Sequence, residues 1–459
     1  MLAISIASIN FIRRRIMVYC ESKYNVKISE SQNGVIIYNT VTGAVCNFQP
    51  QIYDKFHNKL INENQIDKRI VKLGFVVPLQ FDELNCLEKC KKGYIYNQNP
   101  NELSYVIAPT LNCNYKCEYC FESKIEQNKC VMSHVTIDNI YRFIVNQIVK
   151  YKNIKRIFVL WFGGEPMLAY DAICSLSAKL QAYSYSHNIK YEAFMATNGS
   201  MLTGDIAHNL VDNFNLRGFQ ITMDGLHDSY TKNRKCDDRC YDKVMNNIFT
   251  ISQFATVRLR INVSDTNIDE IKSLLSVIAS EKKYGDYFSI YFARIKNYLN
   301  KVNVGITAME YEKVRNDFID FLISNGCENI LSIKLPQKIA TGCGSMRNYT
   351  CVIGPNGELY RCEHCLGDQN WIIGDVKYGF YCNEADKLFL ERKTPIKCYK
   401  CDILPVCAGG CTADAVLHNI EFDCDAYRYR IISNVKRAID KKLSSNRQSF
   451  DSNIINDEC

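Results

Sequence analysis

The chain has no apolar stretch long enough to cross a bilayer, no internal repeat and no dominant charge. A spanning helix needs about 20 apolar residues. The best candidate, Met1 to Ile12, is shorter and is followed by Arg13-Arg14-Arg15. A secretory signal carries its charge first and a small-residue cleavage site after, so this is neither signal nor anchor. Residues 1–17 read as a disordered extension, with Met17 as the natural start, and no membrane partner is expected. Without repeats, solenoids and propellers are excluded. A net charge of +7 spread over 459 residues is mild, so no nucleic acid is expected, although an acidic peptide would be attracted. With 47% hydrophobic and 23% charged residues, the composition is that of a soluble protein of two or three domains.

What is abundant is cysteine, 23 in all. In a small secreted domain this would mean disulfides. Here the cysteines cluster at C-x2-C and C-x3-C spacings in a chain of enzyme size. Metal or cluster ligation in a reducing cytoplasm, at low oxygen, fits better.

One short stretch reads Ile107-Ala-Pro-Thr-Leu-Asn-Cys113-Asn-Tyr-Lys-Cys117-Glu-Tyr-Cys120-Phe-Glu122. Three thiolates spaced C-x3-C-x2-C can hold three irons of a four-iron cluster and leave the fourth open to a ligand. A zinc site short of one ligand is the competing reading, but zinc sites more often show two C-x2-C pairs or a Cys/His mix. The motif resembles that of radical S-adenosylmethionine (SAM) enzymes. The resemblance implies reductive cleavage of SAM and hydrogen abstraction from a substrate, with the cofactor doing the hard step.

From Tyr105 to Arg294 strand and helix patterns alternate. The expected strands are Tyr105–Ala108, Ile157–Trp161, Glu192–Ala196, Phe219–Met223, Val257–Val263 and Phe288–Phe292. Alternation predicts a parallel sheet with outer helices; the resemblance implies a partial (β/α)6 barrel with its site at the C-terminal strand ends. Phe162-Gly163-Gly164-Glu165-Pro166 follows the second strand. Its glycines permit unusual backbone angles and close approach, and its proline fixes the turn. In the family such a segment holds the SAM amino group, which makes Gly163, Gly164, Glu165 and Pro166 expected cofactor contacts. Asn198, in Thr197-Asn-Gly199, and Thr222, in Thr222-Met-Asp-Gly225, close the next two strands and are expected to hydrogen-bond SAM. Asp224 either joins them or caps the following loop; His227 reads as structural. Arg258 and Arg260 share one face of the fifth strand; inside a barrel they need an anion, a SAM or substrate carboxylate, the alternative being that they face solvent or pair with a protein acid. Arg260 is taken as a SAM contact. No residue is assigned as the catalytic base.

Residues 18–98 read as a small α+β unit: strands over Val26–Ile28, Val35–Asn39 and Ala44–Phe48, helices around 51–60 and 65–73, a strand at 75–78 and a helix over 83–92. This resembles the winged-helix peptide-recognition element of ribosomal peptide maturases, which implies leader binding by strand addition. A winged helix that only packs on the core, or binds DNA, is the alternative; its helices are not basic enough to track phosphates.

Between Cys343 and Cys424 lie ten cysteines. The order Cys343, Gly357, Cys362, then Cys398-x2-Cys401-x5-Cys407-x3-Cys411, then Cys424 resembles the SPASM domain, with a last interval shorter than usual. The resemblance implies two auxiliary four-iron clusters: Cys343, Cys362 and Cys411 on the first, with Cys351 as fourth ligand and Cys365 its rival; Cys398, Cys401, Cys407 and Cys424 on the second. Zinc is the alternative here too. The expected domains are thus 1–17, 18–98, a barrel over 99–325, a cysteine domain over 326–440 and a tail over 441–459.

These resemblances together imply a cytoplasmic enzyme that modifies a ribosomally made precursor peptide carrying a leader. The expected product is a thioether or other side-chain crosslink. Expected cofactors are SAM and three 4Fe-4S clusters, one SAM-binding and two auxiliary, and a flavodoxin or ferredoxin is the expected reductant. A sulfatase maturase forming formylglycine and a non-catalytic iron–sulfur scaffold are the other two readings.

Overall fold

A computed structural model describes residues 17–124, 130–296, 298, 305–339 and 343–446. The expected disorder of residues 1–16 and most of the 441–459 tail lie outside the described residues.

The N-terminal unit runs β1 (Val18–Glu21), β2 (Asn25–Ser31), β3 (Gly34–Asn39), β4 (Val45–Phe48), α1 (Pro50–Phe56), β5 (Ile61–Asn62), α2 (Lys68–Lys72), β6 (Val76–Pro78) and α3 (Glu83–Ile95). It holds two antiparallel three-stranded sheets, ordered β2-β3-β4 and β5-β1-β6. Both early helices are shorter than the periodicity predicts. The first stops where His57 turns extended and Asn58 takes φ 54°; the second is capped by Asp67 and stopped at Gly74, φ 83°. Alternation splits β2-β3 between two cores. Val35, Ile37 and Phe48 pack with α1 and α2, while Val26, Ile28 and Tyr38 pack against Ile403, Val406, Ile431 and Val435 of the C-terminal region.

The barrel follows as β7 (Glu102–Ile107), α4 (His134–Tyr151), β8 (Arg156–Trp161), α5 (Tyr170–Ser186), β9 (Lys190–Thr197), α6 (Gly204–Phe214), β10 (Leu216–Met223), α7 (His227–Arg234), α8 (Cys240–Ile251), β11 (Thr256–Val263), α9 (Ile268–Glu281), β12 (Phe288–Arg294) and α10 (Ala308–Ser324). The six strands pair in parallel and in sequence, as the alternation predicts. Residues alternate in burial along each strand. Ile157, Val159 and Trp161 of β8 are fully buried beneath the helices, while Phe158 and Leu160 on the other face are half-buried. Parallel sheets normally bury both faces; here the concave face is a lumen.

The C-terminal region adds β13 (Cys351–Ile353), β14 (Glu358–Tyr360), β15 (Gly374–Asp375), β16 (Gly379–Phe380), α11 (Glu384–Leu390), α12 (Leu404–Cys407), α13 (Thr412–His418) and α14 (Cys424–Asn446). Its β13 pairs in parallel with β7, Cys351 opposite Tyr105, so the barrel sheet runs on as β7-β13-β14-β15-β16. No helix among the described residues is long and apolar enough to cross a membrane.

Candidate active site

The loop carrying Cys113, Cys117 and Cys120 leaves the C-terminal end of β7, at the mouth of the lumen. Its neighbours fix its path. The N–H of Gly164 donates to the Thr110 carbonyl at 3.3 Å, and that of Glu165 to the Asn112 carbonyl at 2.8 Å. A Cβ on Gly164 would lie 2.3 Å from the Asn112 oxygen, and one on Gly163, φ 111°, 2.3 Å from the Thr110 oxygen. Both glycines are therefore dictated by contact with the cluster loop itself.

Glu165 is fully buried and its carboxylate is already engaged. It accepts from Met167 N at 3.0 Å, Thr197 Oγ1 at 2.6 Å and Asn198 N at 2.7 Å. These bonds tie the turn after β8 to the end of β9. Pro166 is buried at the start of the helical turn that follows. Asn198 likewise binds protein: its Nδ2 donates to Asn114 Oδ1 at 2.8 Å, and its Oδ1 accepts from Ser200 Oγ at 2.7 Å. These two side chains position the loop that carries Cys113.

Asp224 does not cap the following loop. It is fully buried and accepts from Arg234 Nε at 2.9 Å and from the hydroxyl of Tyr119, which stands between Cys117 and Cys120. Arg234 Nη2 closes the triangle to Tyr119 at 3.0 Å, and the Arg234 carbonyl accepts from Lys116 N at 3.1 Å. This buried ion pair clamps the cluster loop onto α7. Nothing in the spacing pairs these three residues, although the aromatic beside Cys120 was a signal. His227 is exposed, pairs with Asp228 and belongs to no site.

Thr222 and Arg260 face the lumen, half-buried and opposite each other in register. Arg260 stands on β11, four strands around the sheet from β7.

The three loop cysteines sense one another. Burial pushes Cys113 up to about 11, with Glu165 and Cys117 adding to it; burial, then Glu122, Cys117 and Cys113, push Cys120 up to about 12. Burial also raises Cys117, against the pull of Arg234. Thiols held up in this way become thiolates only when a cation joins them. Glu122 Oε1 and Asp224 Oδ1 are buried acceptors without a protein partner, suited to the donors of a cationic ligand. The donor set therefore fits an iron–sulfur cluster with SAM.

The C-terminal cysteines fall into two groups. Cys398, Cys401, Cys407 and Cys424, with Cys411 at the rim, line a cavity of about 450 Å³. After burial, Cys424 and Cys401 raise Cys398, while Cys398 and Cys424 help burial push Cys407 to about 11. The short last interval does not keep Cys424 from the others. Elsewhere, Cys365 and Cys343 both press on Cys362, and burial with Asp368 and Glu363 pushes Cys365 up to about 12. Cys411 and Cys362 meet at Tyr298, which feels both. Cys351 is a correction. It lies in the barrel core beneath the sheet, whereas Cys362 and Cys365 pack on the other side with Val352. Pairing of β13 with β7 turns its thiol away from the group, and the rival Cys365 takes the place beside Cys362. Among the described residues no three Cys, His, Asp or Glu side chains converge on one ion position. A zinc ion draws its ligands to within about 2.3 Å.

Sequence reasoning missed a polar cluster joining the two ends of the site. Phe121, next to Cys120, stacks on His364 at 4.3 Å; Tyr298 lies 4.9 Å from His364 and 4.4 Å from His418. Buried Asp414 accepts from the Tyr298 hydroxyl at 2.8 Å and pairs with Lys296. These residues come from distant segments, and no motif announces them.

Residues 107–278 match the model of the Radical SAM superfamily. A cysteine-type anaerobic sulfatase-maturating enzyme of Clostridium perfringens is 26% identical over 359 residues, covering 71% of this chain and 94% of its own. The radical SAM cyclopropyl synthase TigE of Paramaledivibacter caminithermalis is 20% identical over 494 residues, covering 94% of this chain and 98% of its own. Among solved structures, native anSMEcpe with bound AdoMet and the Cp18Cys peptide superposes with a TM-score of 0.59 at 20% identity, over 75% of this chain and 99% of that one. Over residues 107–278 the barrel is thus similar to the radical SAM superfamily, and its cofactors are S-adenosylmethionine and 4Fe-4S iron–sulfur clusters.

Proposed function

We propose that the protein is a maturase that modifies a ribosomally made precursor peptide, forming a thioether or another side-chain crosslink. The observation that carries this reading is one juxtaposition: the three-cysteine loop at the barrel mouth meets the Cys362–Cys365 segment through the Phe121–His364 stack. Cys113, Cys117 and Cys120 would hold the SAM-binding cluster. Cys343, Cys362 and Cys411, with Cys365, would hold one auxiliary cluster, and Cys398, Cys401, Cys407 and Cys424 another. When bound, the cluster and SAM supply reductive cleavage of the sulfonium and hydrogen abstraction from an unactivated carbon of the peptide.

The chain's own residues bind and orient. Gly163 and Gly164 bring main chain against the loop without side chains in the way; the half-buried face of the strands receives the peptide; Phe121 and Phe162 exclude water beside it. When bound, an auxiliary cluster would supply an acceptor for the electron released as the new bond closes, and a flavodoxin or ferredoxin would be the external reductant. In the N-terminal unit the edges of the β2-β3-β4 sheet offer a leader strand addition. TigE, named a cyclopropyl synthase, aligns over 94% of this chain, which supports including that unit in the enzyme.

The sulfatase-maturating relative, at 26% identity, favours a second reading, conversion of a sulfatase Cys or Ser to formylglycine. Mass spectrometry separates the two. Co-expression with the short peptide encoded beside the gene should give a product that has lost hydrogen and resists thiol alkylation. An unchanged peptide, together with formylglycine on a sulfatase peptide, would reverse the order.

A further inference from the structure

Resting on the peptide reading, we propose that Arg260, with Arg258 below it, forms a carboxylate-binding site inside the barrel that takes an Asp or Glu side chain of the substrate peptide. The two arginines occupy alternate positions of β11 and so share its lumen face, Arg260 half-buried and Arg258 exposed, while Val257, Leu259 and Ile261 are fully buried on the other. In register, Arg260 lies between Thr222 and Tyr291, and Arg258 between Gln220 and Ser289. All four neighbours are neutral; Tyr291 donates its hydroxyl to Gln220 Oε1 at 2.7 Å, and its oxygen accepts from Arg260.

Among the described residues no acid pairs with either guanidinium. Arg260 Nε donates to Asn262 Oδ1 at 2.9 Å, two residues nearer the mouth, and Arg258 lies over the Phe194 ring at 5.4 Å. The acids nearest the lumen are committed, Glu165 to Thr197 and Asn198, and Asp224 to Arg234. Elsewhere the fold pairs its strand arginines: Arg156 and Arg217 share Glu192 at the opposite end of the strands. A half-buried guanidinium left without an anion is costly, and its planar fork fits a carboxylate in two-point contact.

The other source of a carboxylate is SAM. An open iron that grips SAM holds it at the β7 loop, with β8, β9 and β10 between that loop and Arg260. Arg260 therefore faces what lies across the lumen from SAM.

The test uses reconstituted enzyme with SAM and two matched synthetic cysteine-containing peptides, one with Asp beside the cysteine and one with Asn. Wild type should bind the Asp peptide about tenfold more tightly. Arg260→Gln should lose that preference and keep its affinity for the Asn peptide and for SAM; Arg260→Lys should restore part of it, having charge without the fork; Arg258→Gln should reduce it by less. Equal binding of both peptides by wild type would overturn the proposal. So would weakened SAM binding in Arg260→Gln, which would give the carboxylate to the cofactor. If wild type bound neither peptide, the peptide reading would fall, and this inference with it.

Discussion

The cluster loop at the barrel mouth and the cysteine region from 343 to 424 do similar chemistry on opposite physical terms. The loop is short, but every turn of it is fixed by protein: by Gly164 and Glu165, by Asn198, and by the Tyr119–Asp224–Arg234 clamp. Behind it stand six parallel strands whose helix-facing rows are buried. The C-terminal region has helices of 7, 4 and 7 residues between Cys343 and Cys424 and strands of only two or three. Its second cysteine group lines a cavity of about 450 Å³. In one place the protein holds the ligands; in the other the ligands must hold the protein, as in small domains that lack apolar area of their own.

The largest effect that tests this contrast is chemical. Changing Cys113, Cys117 and Cys120 to Ala should abolish 5′-deoxyadenosine formation with dithionite, measured by chromatography, and leave the melting temperature near that of the wild type. Iron should fall from about twelve to about eight per chain, four for each cluster. Persistent 5′-deoxyadenosine would defeat the cluster assignment, and a collapsed fold would defeat the claim that this loop is held by protein.

Next comes removal of iron. Chelation should open the region from 343 to 424 to limited proteolysis while the span from β7 to β12 resists, because only the former depends on bound clusters. Changing Cys398, Cys401, Cys407 and Cys424 together should give the same cleavage pattern. Uniform sensitivity along the chain would erase the distinction between the regions.

A smaller effect concerns the clamp. Arg234→Met leaves Asp224 charged and enclosed, and losing one partner of a buried pair costs about 3–5 kcal/mol. Denaturant unfolding should show that loss, and SAM cleavage should slow as the loop loosens. A stability change below about 1 kcal/mol would mean that water reaches Asp224 and that the clamp is weaker than its burial implies.

The two regions also differ in how far sequence alone reveals them. The barrel strands were legible because alternation is a local pattern, and the C-x3-C-x2-C loop because its three ligands are neighbours. Glu165 was found from its motif, but its protein partners were not: Thr197 and Asn198 bind its carboxylate from 32 and 33 residues away. Cys351 misled for the reverse reason. Its place in the cysteine order suggests a ligand, yet β13 pairs with β7 across more than two hundred residues and turns the thiol into the barrel core. The Lys296–Asp414–Tyr298 group spans more than a hundred residues with no repeat of spacing to mark it. Contacts made by folding a distant segment onto a sheet leave no periodic trace in the chain.

The smallest effect concerns how the N-terminal unit is mounted. Tyr38 is fully buried between its sheet and the cysteine region and donates its hydroxyl to the Pro336 carbonyl, while Thr40 Oγ1 reaches the Asp402 carbonyl at 2.6 Å, next to Cys401. Around them Val26 and Ile28 meet Ile403, Val406, Ile431 and Val435. Deleting residues 18–98 would therefore strip cover from the region least able to hold itself, so a deletion cannot isolate leader binding. Tyr38→Phe keeps the ring and removes one hydrogen bond, at a cost of about 1 kcal/mol. If the N-terminal sheet braces the second cysteine group, that cost should appear as faster proteolysis after Cys398 in iron-depleted protein and disappear once iron is restored. A loss of the same size with and without iron would place the bond in the N-terminal unit's own stability.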